Sequence, residues 1–92
     1  MGQAARQTVE IINRRGLHAR ASAKFVAAVA AFDGCDVRVA KDGLDAAGGS
    51  ILGLMMLGAG RGDTIEIAVT GNQAQARLDE LVELVTSGFG ED

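Results

Sequence analysis

The chain has 92 residues, of which 48 % are hydrophobic and 3 % aromatic; this content predicts one small folded domain, residues 1–92, and argues against disorder. Its net charge of −3 and its few aromatic side chains argue against a nucleic-acid partner. The single cysteine, Cys35, cannot form an intramolecular disulfide, and no apolar stretch is long enough to span a bilayer or has the pattern of a signal peptide. We therefore expect a cytoplasmic protein without a membrane partner.

The first half of the chain alternates between strand and helix patterns. Polar and apolar residues alternate weakly over Thr8–Ile12 and clearly over Cys35–Ala40, which predicts two strands with one buried face each. Between them, apolar residues recur at helical spacing over Ala19–Phe32. Lys41–Gly43 predicts a hairpin turn, because Asp-Gly tolerates the positive φ angles of tight turns, and Leu44–Ala47 predicts a short edge strand.

An unusually apolar helix pattern follows over Ser50–Leu57, with Ser50 as its cap or first-turn residue. We expect Leu54 and Leu57 to pack on the sheet. A two-layer domain of this size has no third layer that could cover the other apolar side chains of this helix. These side chains therefore predict a docking surface.

The C-terminal part contains one more strand pattern and one more helix pattern. Alternation over Asp63–Val69 predicts the strand, and an apolar stripe over Ala74–Ser87 predicts the helix. We expect Asn72 to cap this helix, Gln75 to act as its box-like partner, and Gly88 to end it. The predicted order is β-α-β-β-α-β-α. Because every clear strand has only one apolar face, this order favours a two-layer α+β sandwich with helices on one face of a mixed or antiparallel sheet.

The only histidine, His18, follows a polar turn and directly precedes the first predicted helix. The first N–H groups of that helix, those of Ala19, Arg20 and Ala21, lack partners within the helix and can bind a phosphate-sized anion. The guanidinium of Arg20 can add a charge-assisted hydrogen bond. A neutral imidazole beside these donors is suited to carry a phosphoryl group covalently, as a nucleophile.

Charge is unevenly distributed along the chain. Residues 1–32 contain five basic residues and one acidic residue, whereas residues 33–92 contain four basic and eleven acidic residues. This asymmetry predicts a positive face near His18. The sequence shows no second titrating residue beside His18, and one histidine with one cysteine is too small a ligand set for a metal. We therefore expect neither a metal nor another cofactor.

Two stretches, GLHARASAKFV and GGSILGLMMLGAGRGDTIEIAVTG, together resemble HPr, the histidine-containing phosphocarrier family of the bacterial phosphoenolpyruvate-dependent phosphotransferase system. The resemblance extends from about Thr8 to the C-terminal helix. It implies an open-faced sandwich of four antiparallel strands in the order 1-4-2-3, covered by three helices. The alanines and the GLMML run resemble the nitrogen-regulatory branch of this system more than its sugar-transport branch.

The resemblance also implies a role for the histidine and its neighbour. His18 would accept a phosphoryl group on Nδ1 from Enzyme I and donate it to an EIIA-type protein, and Arg20 would match the active-site arginine of the family. Such a protein is a covalent carrier without turnover of its own, and we expect a monomer. Alanine stands at position 21, where many members of the family have proline.

Further residues match regulatory and docking positions of the family. Ser50 would match the serine that an HPr kinase/phosphorylase modifies in many members. Ile51, Leu52 and Met55 would match the apolar surface that partners contact beside the histidine, and Lys24 can steer acidic partners.

Two other function classes remain open at this stage. The chain could be a regulatory module that binds a protein through its apolar helix without transferring phosphate. It could also be an unrelated small α+β domain in which His18 only binds an anion. The presence of His18 favours the carrier over the regulatory module.

Overall fold

The computed structural model describes residues 3–91 and contains four strands, three α-helices and one 3-10 turn. These elements are β1 Gln3–Glu10, α1 Ala19–Ala30, β2 Cys35–Lys41, β3 Leu44–Ala47, α2 Ile51–Met56, β4 Thr64–Gly71, α3 Ala74–Thr86 and the 3-10 turn Gly88–Gly90. The predicted order of strands and helices is confirmed. The 3-10 turn was not predicted.

The four strands form one antiparallel sheet in the order β1-β4-β2-β3. One face is apolar and buried, and all four strands contribute side chains to it: Val9, Val37, Val39, Ala46, Ile65, Ile67 and Val69. The opposite face carries exposed side chains such as Arg6, Thr8 and Arg38. Asp42 and Gly43 both adopt positive φ in the turn between β2 and β3, as a tight hairpin requires. The predicted two-layer α+β sandwich with strand order 1-4-2-3 is therefore confirmed.

Strand β1 begins five residues earlier than the sequence pattern predicted. Within the strand, only Val9 is buried, so the apolar pattern marks only the end of the strand. Pairing with β4 defines the rest, from Gln3 opposite Gly71 to Glu10 opposite Thr64.

Helices α1 and α3 bury their apolar stripes, whereas α2 buries only part of its apolar surface. In α1 the buried residues are Ala21, Ser22 and Phe25, and in α3 they include Leu78, Leu81 and Val85. Leu54 of α2 and Leu57 just after it are also buried, as expected. Of the helices within residues 3–91, none has the length and apolarity needed to cross a membrane.

The predicted cap of α3 is wrong. The residue that precedes this helix is Gln73, in a left-handed conformation and without a side-chain capping bond. The first helical N–H group, that of Ala74, instead donates to Oε1 of Gln3 at 3.2 Å. Asn72 donates its backbone N–H to the carbonyl of Gly34. A strand distant in sequence thus supplies the cap, whereas Gly88, with φ of +70°, ends the helix as predicted.

Candidate functional site

His18 is the N-cap residue of α1, and its side chain is 19 % exposed. Its carbonyl accepts the first helical hydrogen bond, from the N–H of Ser22 at 2.9 Å. Its Nδ1 atom accepts a second bond, from the backbone N–H of Arg20 at 3.2 Å. Because an amide can only donate, Nδ1 is an unprotonated acceptor that faces the start of the helix. The imidazole is neither deeply buried nor turned away from the helix amides.

The loop before His18 is held against the segment that follows α2. The N–H of Leu17 donates to the carbonyl of Ala59 at 3.0 Å, and Leu17 itself is buried. The hydroxyl of Ser22 donates to the carbonyl of Leu17 at 3.1 Å. Gly16 has φ of +63°, and a Cβ at this position would overlap the carbonyl oxygen of Ala59. Only glycine permits this close approach of two backbones.

The second ring nitrogen of His18 contacts the C-terminal segment. Its Nε2 atom lies 2.7 Å from Oε2 of Glu91. The other carboxylate oxygen, Oε1, accepts a hydrogen bond from Nδ2 of Asn13 at 3.1 Å. The same Asn13 nitrogen also donates to the carbonyl of Gly16 at 2.9 Å. The expectation that no second titrating residue stands beside His18 is therefore wrong, since a carboxylate from the far end of the chain lies there.

The surroundings of Glu91 lower the pKa of its carboxyl group. Partial burial by itself acts to raise this pKa, because it disfavours the charged form. Hydrogen bonds from His18 and Asn13 outweigh that effect, and the positive charge of Lys24 adds to them. As a result the pKa of Glu91 lies below its usual value of 4.5.

The segment that carries Glu91 is anchored by Phe89. The Phe89 ring is fully buried, although its backbone adopts φ of +58°, which is strained for a bulky residue. Its carbonyl accepts a hydrogen bond from Nζ of Lys24 at 2.7 Å. Lys24, expected to steer partners, thus also fastens the C-terminal segment to α1.

A cavity of about 230 Å³ opens beside the imidazole. It is lined by one acidic residue, the histidine and three basic residues: Arg14, Arg15, His18, Arg20 and Glu91. Among residues 3–91, these three arginines make no salt bridge. The predicted positive face near His18 therefore consists of unpaired guanidinium groups beside the ring. In the same part of the chain, no group of three or more His, Cys, Asp or Glu is placed to hold a metal ion.

Ser50 and the apolar residues after it lie where the sequence placed them. Ser50 is the N-cap of α2, and its Oγ accepts a hydrogen bond from the N–H of Gly53 at 2.9 Å. Ile51, Leu52 and Met55 are exposed, Leu52 by 68 %. Met56 of the same helix is 71 % exposed. Because α1 and α2 contact each other, this exposed face belongs to an element adjacent to the helix that carries His18.

Sequence reasoning missed Glu91 and the hydrogen bond that Asn13 donates to it. Glu91 is 73 positions from His18, and no local pattern marks it as a site residue. Asn13 does carry a signal in retrospect, because a buried amide in a polar turn needs hydrogen-bond partners. The sequence identified His18 and Arg20, and the structure brings them together with Arg14, Arg15 and Glu91.

Comparisons with known proteins agree with this fold. The family model for the PTS HPr component phosphorylation site matches residues 5–87. The chain is 42 % identical over 86 residues to the phosphocarrier protein HPr of Neisseria meningitidis serogroup A, which covers 94 % of this chain and 96 % of that one. It is 37 % identical over 87 residues to the phosphocarrier protein NPr of Escherichia coli K12, with 95 % and 97 % covered.

Among solved structures, the chain resembles HPr-C-His from Thermoanaerobacter tengcongensis with a TM-score of 0.89 and 35 % identity, covering 96 % of this chain and 98 % of that one. Family model, relatives and fold agree over nearly the full length. The chain belongs to the HPr/NPr family of phosphocarrier proteins of the phosphotransferase system.

Proposed function

We propose that the chain accepts a phosphoryl group from Enzyme I on Nδ1 of His18 and donates it to an EIIA-type protein. The observation that carries this proposal is the position of Nδ1, which lies at the N-terminus of α1 and accepts a hydrogen bond from the Arg20 amide. An accepted phosphoryl group on Nδ1 would meet the N–H groups of Ala19, Arg20 and Ala21, which have no carbonyl partner within the helix.

The guanidinium groups around His18 support the same proposal. Phosphoryl transfer needs in-line positioning and stabilisation of negative charge more than acid–base chemistry. Arg20 would contact the phosphoryl oxygens directly, and Arg14 and Arg15 would add positive potential. A few amides and arginines bind phosphate weakly enough to let it leave, as a carrier without turnover of its own requires.

The test of this proposal is phosphorylation of the purified chain by Enzyme I and phosphoenolpyruvate. We expect intact mass spectrometry to detect one acid-labile phosphoryl group, and we expect His18→Ala to abolish it. Arg20→Met should slow the reaction, whereas Arg6→Met, which removes an exposed arginine of β1, should not. No gain in mass with an Enzyme I that phosphorylates another HPr would contradict the proposal.

We propose that partners dock on the apolar face of α2 formed by Ile51, Leu52 and Met55, and that Lys24 contributes charge beside it. Support comes from the exposure of these three side chains in a domain whose other large apolar residues are mostly buried. Exposed apolar groups of this kind are typical of docking sites. Positive charge near them would guide acidic partners during encounter.

We further propose that phosphorylation of Ser50 by an HPr kinase/phosphorylase regulates this docking. Ser50 stands at the N-terminus of α2, next to the exposed face. A phosphoryl group there would add about −1.5 to −2 charges, which the helix N-terminus tolerates. The charge would repel an acidic partner surface. Ser50→Asp should therefore lower the rate of phosphorylation by Enzyme I, and an unchanged rate would count against this regulation.

A further inference from the structure

We propose that Glu91 is a positioning residue, which orients the His18 ring and compensates the positive charge that the ring gains when it is phosphorylated. This inference rests on the proposed function and adds a residue to its site. Oε2 of Glu91 lies 2.7 Å from Nε2 of His18.

The two contacts of the imidazole select one tautomer. The Arg20 amide donates to Nδ1, so the proton of the neutral ring lies on Nε2. The Glu91 carboxylate accepts that proton in a hydrogen bond. Which nitrogen of a histidine is free to react is set by the bond that the other nitrogen makes. Glu91 and the Arg20 amide therefore both keep the lone pair on Nδ1, the atom that faces the helix amides and the arginines.

The carboxylate is held in place from several sides. Asn13, which is only 5 % exposed, donates to Oε1 of Glu91 and so fixes the rotation of the carboxylate. The burial of the Phe89 ring and the bond from Lys24 to the Phe89 carbonyl fasten the preceding residues. These contacts hold the Glu91 carboxylate in one position, as is typical of a residue that orients a histidine in a functional site.

The transfer step explains why an anion is useful at Nε2. The lone pair of Nδ1 attacks the phosphorus of a phosphohistidine on the donor protein, and a new N–P bond forms as the donor N–P bond breaks. The electron pair of the broken bond returns to the donor ring, and no proton leaves. The His18 ring then carries phosphorus on Nδ1, hydrogen on Nε2 and a positive charge.

That positive charge is otherwise disfavoured by its surroundings. The N-terminus of α1 and the guanidinium groups of Arg14, Arg15 and Arg20 all repel a cationic ring. Among residues 3–91, Glu91 is the only acidic residue that lines the cavity. A carboxylate bonded to the far nitrogen of a reacting histidine stabilises its cationic form, as in hydrolase triads.

The deciding variant is Glu91→Gln, which keeps the shape of the side chain. The native carboxylate offers one oxygen to His18 and the other to Asn13. An amide has only one acceptor oxygen, so its NH₂ group must face one of these two donors. Glu83→Gln is the matched control, because Glu83 is an exposed carboxylate of α3 and the change in net charge is the same.

The first measurement is the ¹⁵N spectrum of the His18 ring in the free protein, at a pH where the ring is neutral. We expect the proton on Nε2 in the native chain and in Glu83→Gln, and a shift toward the Nδ1-protonated form in Glu91→Gln. This measurement needs no partner protein, so it remains informative even where the proposed function fails. An unchanged tautomer in Glu91→Gln would overturn the orienting role.

The second measurement is the rate at which Enzyme I phosphorylates each variant. We expect Glu91→Gln to react about tenfold more slowly, the lower end of the loss seen when metal-binding histidines lose such a partner. Glu83→Gln should react at the native rate. Equal rates for all three proteins would overturn the role of Glu91 in transfer. If the native chain is not phosphorylated at all, the proposed function fails, and the ring spectrum alone decides whether Glu91 orients His18.

Discussion

The side chain of Lys24 donates a hydrogen bond of 2.7 Å to the backbone carbonyl of Phe89, so α1 directly holds the segment that carries Glu91. Lys24→Met removes this donor and keeps most of the aliphatic chain. We expect the free energy of unfolding to fall by about 1 kcal/mol, and amide exchange over residues 88–91 to accelerate. Urea unfolding and hydrogen exchange measure the two effects. Lys24→Arg retains a donor and should preserve slow exchange; equal protection in Lys24→Met would show that the bond does not anchor the segment.

The backbone at Gly16 requires glycine, because φ is +63° and an added Cβ would overlap the Ala59 carbonyl. We expect Gly16→Ala to lower the free energy of unfolding by about 2 kcal/mol or more, from backbone strain together with overpacking. Gly49→Ala is the matched control, since nothing lies within 4 Å of a Cβ there. Thermal unfolding of the two variants tests this, and similar stabilities would contradict it.

The Ser50 hydroxyl caps α2 through the N–H of Gly53. We expect Ser50→Ala to lower the free energy of unfolding by about 1 kcal/mol, the usual cost of a lost N-cap. Ser50→Asn keeps an acceptor at this position and should stay close to the native stability. Chemical denaturation distinguishes the two variants. Equal losses in both would mean that the cap bond contributes little.

Leu52 is 68 % exposed, so its removal costs the folded state little. We expect Leu52→Ser to keep the native melting temperature and to lower kcat/KM for phosphorylation by Enzyme I by more than about fivefold, as for a central docking residue. Leu44→Ser removes an exposed leucine from β3, outside the proposed docking face, and serves as control. If both variants react at the native rate, partners do not dock on this face of α2.

The depressed pKa of Glu91 makes its contribution to stability dependent on pH. A carboxyl group whose pKa is lower in the folded than in the unfolded state stabilises the fold above the unfolded value, and this stabilisation is lost as the pH falls through the folded value. We therefore expect the native chain to melt above Glu91→Gln at pH values above 4.5, with the difference shrinking below it. Melting curves over a pH series measure this difference. Glu83→Gln controls for the loss of one negative charge, and a gap that stays constant with pH for Glu91→Gln would contradict the assignment.

Much of the fold was predictable because alternation and helical spacing are local properties of the chain. The strands over Cys35–Ala40 and Asp63–Val69 have one apolar face each, and the structure buries that face. The beginning of β1 was not predictable in this way, since most of that strand is exposed and is defined by hydrogen bonds to β4.

The prediction of Asn72 as the cap of α3 was wrong for a related reason. Asn72 has the right residue type for a local cap, yet the first N–H of the helix is satisfied by Gln3 of a strand at the other end of the chain. A capping motif predicts which side chains can bond, whereas the packed strands determine which of them are near.

The same difference between local patterns and long-range contacts applies to the site. The sequence by itself predicted His18 and Arg20 as site residues, because a helix that begins at Ala19 has its partnerless first amides next to His18. Only the tertiary structure shows that Glu91 contacts Nε2, the opposite nitrogen of the ring. That contact depends on the burial of Phe89 and on the packing of α3 against the sheet, and contacts between distant parts of a chain leave no periodic pattern in its sequence.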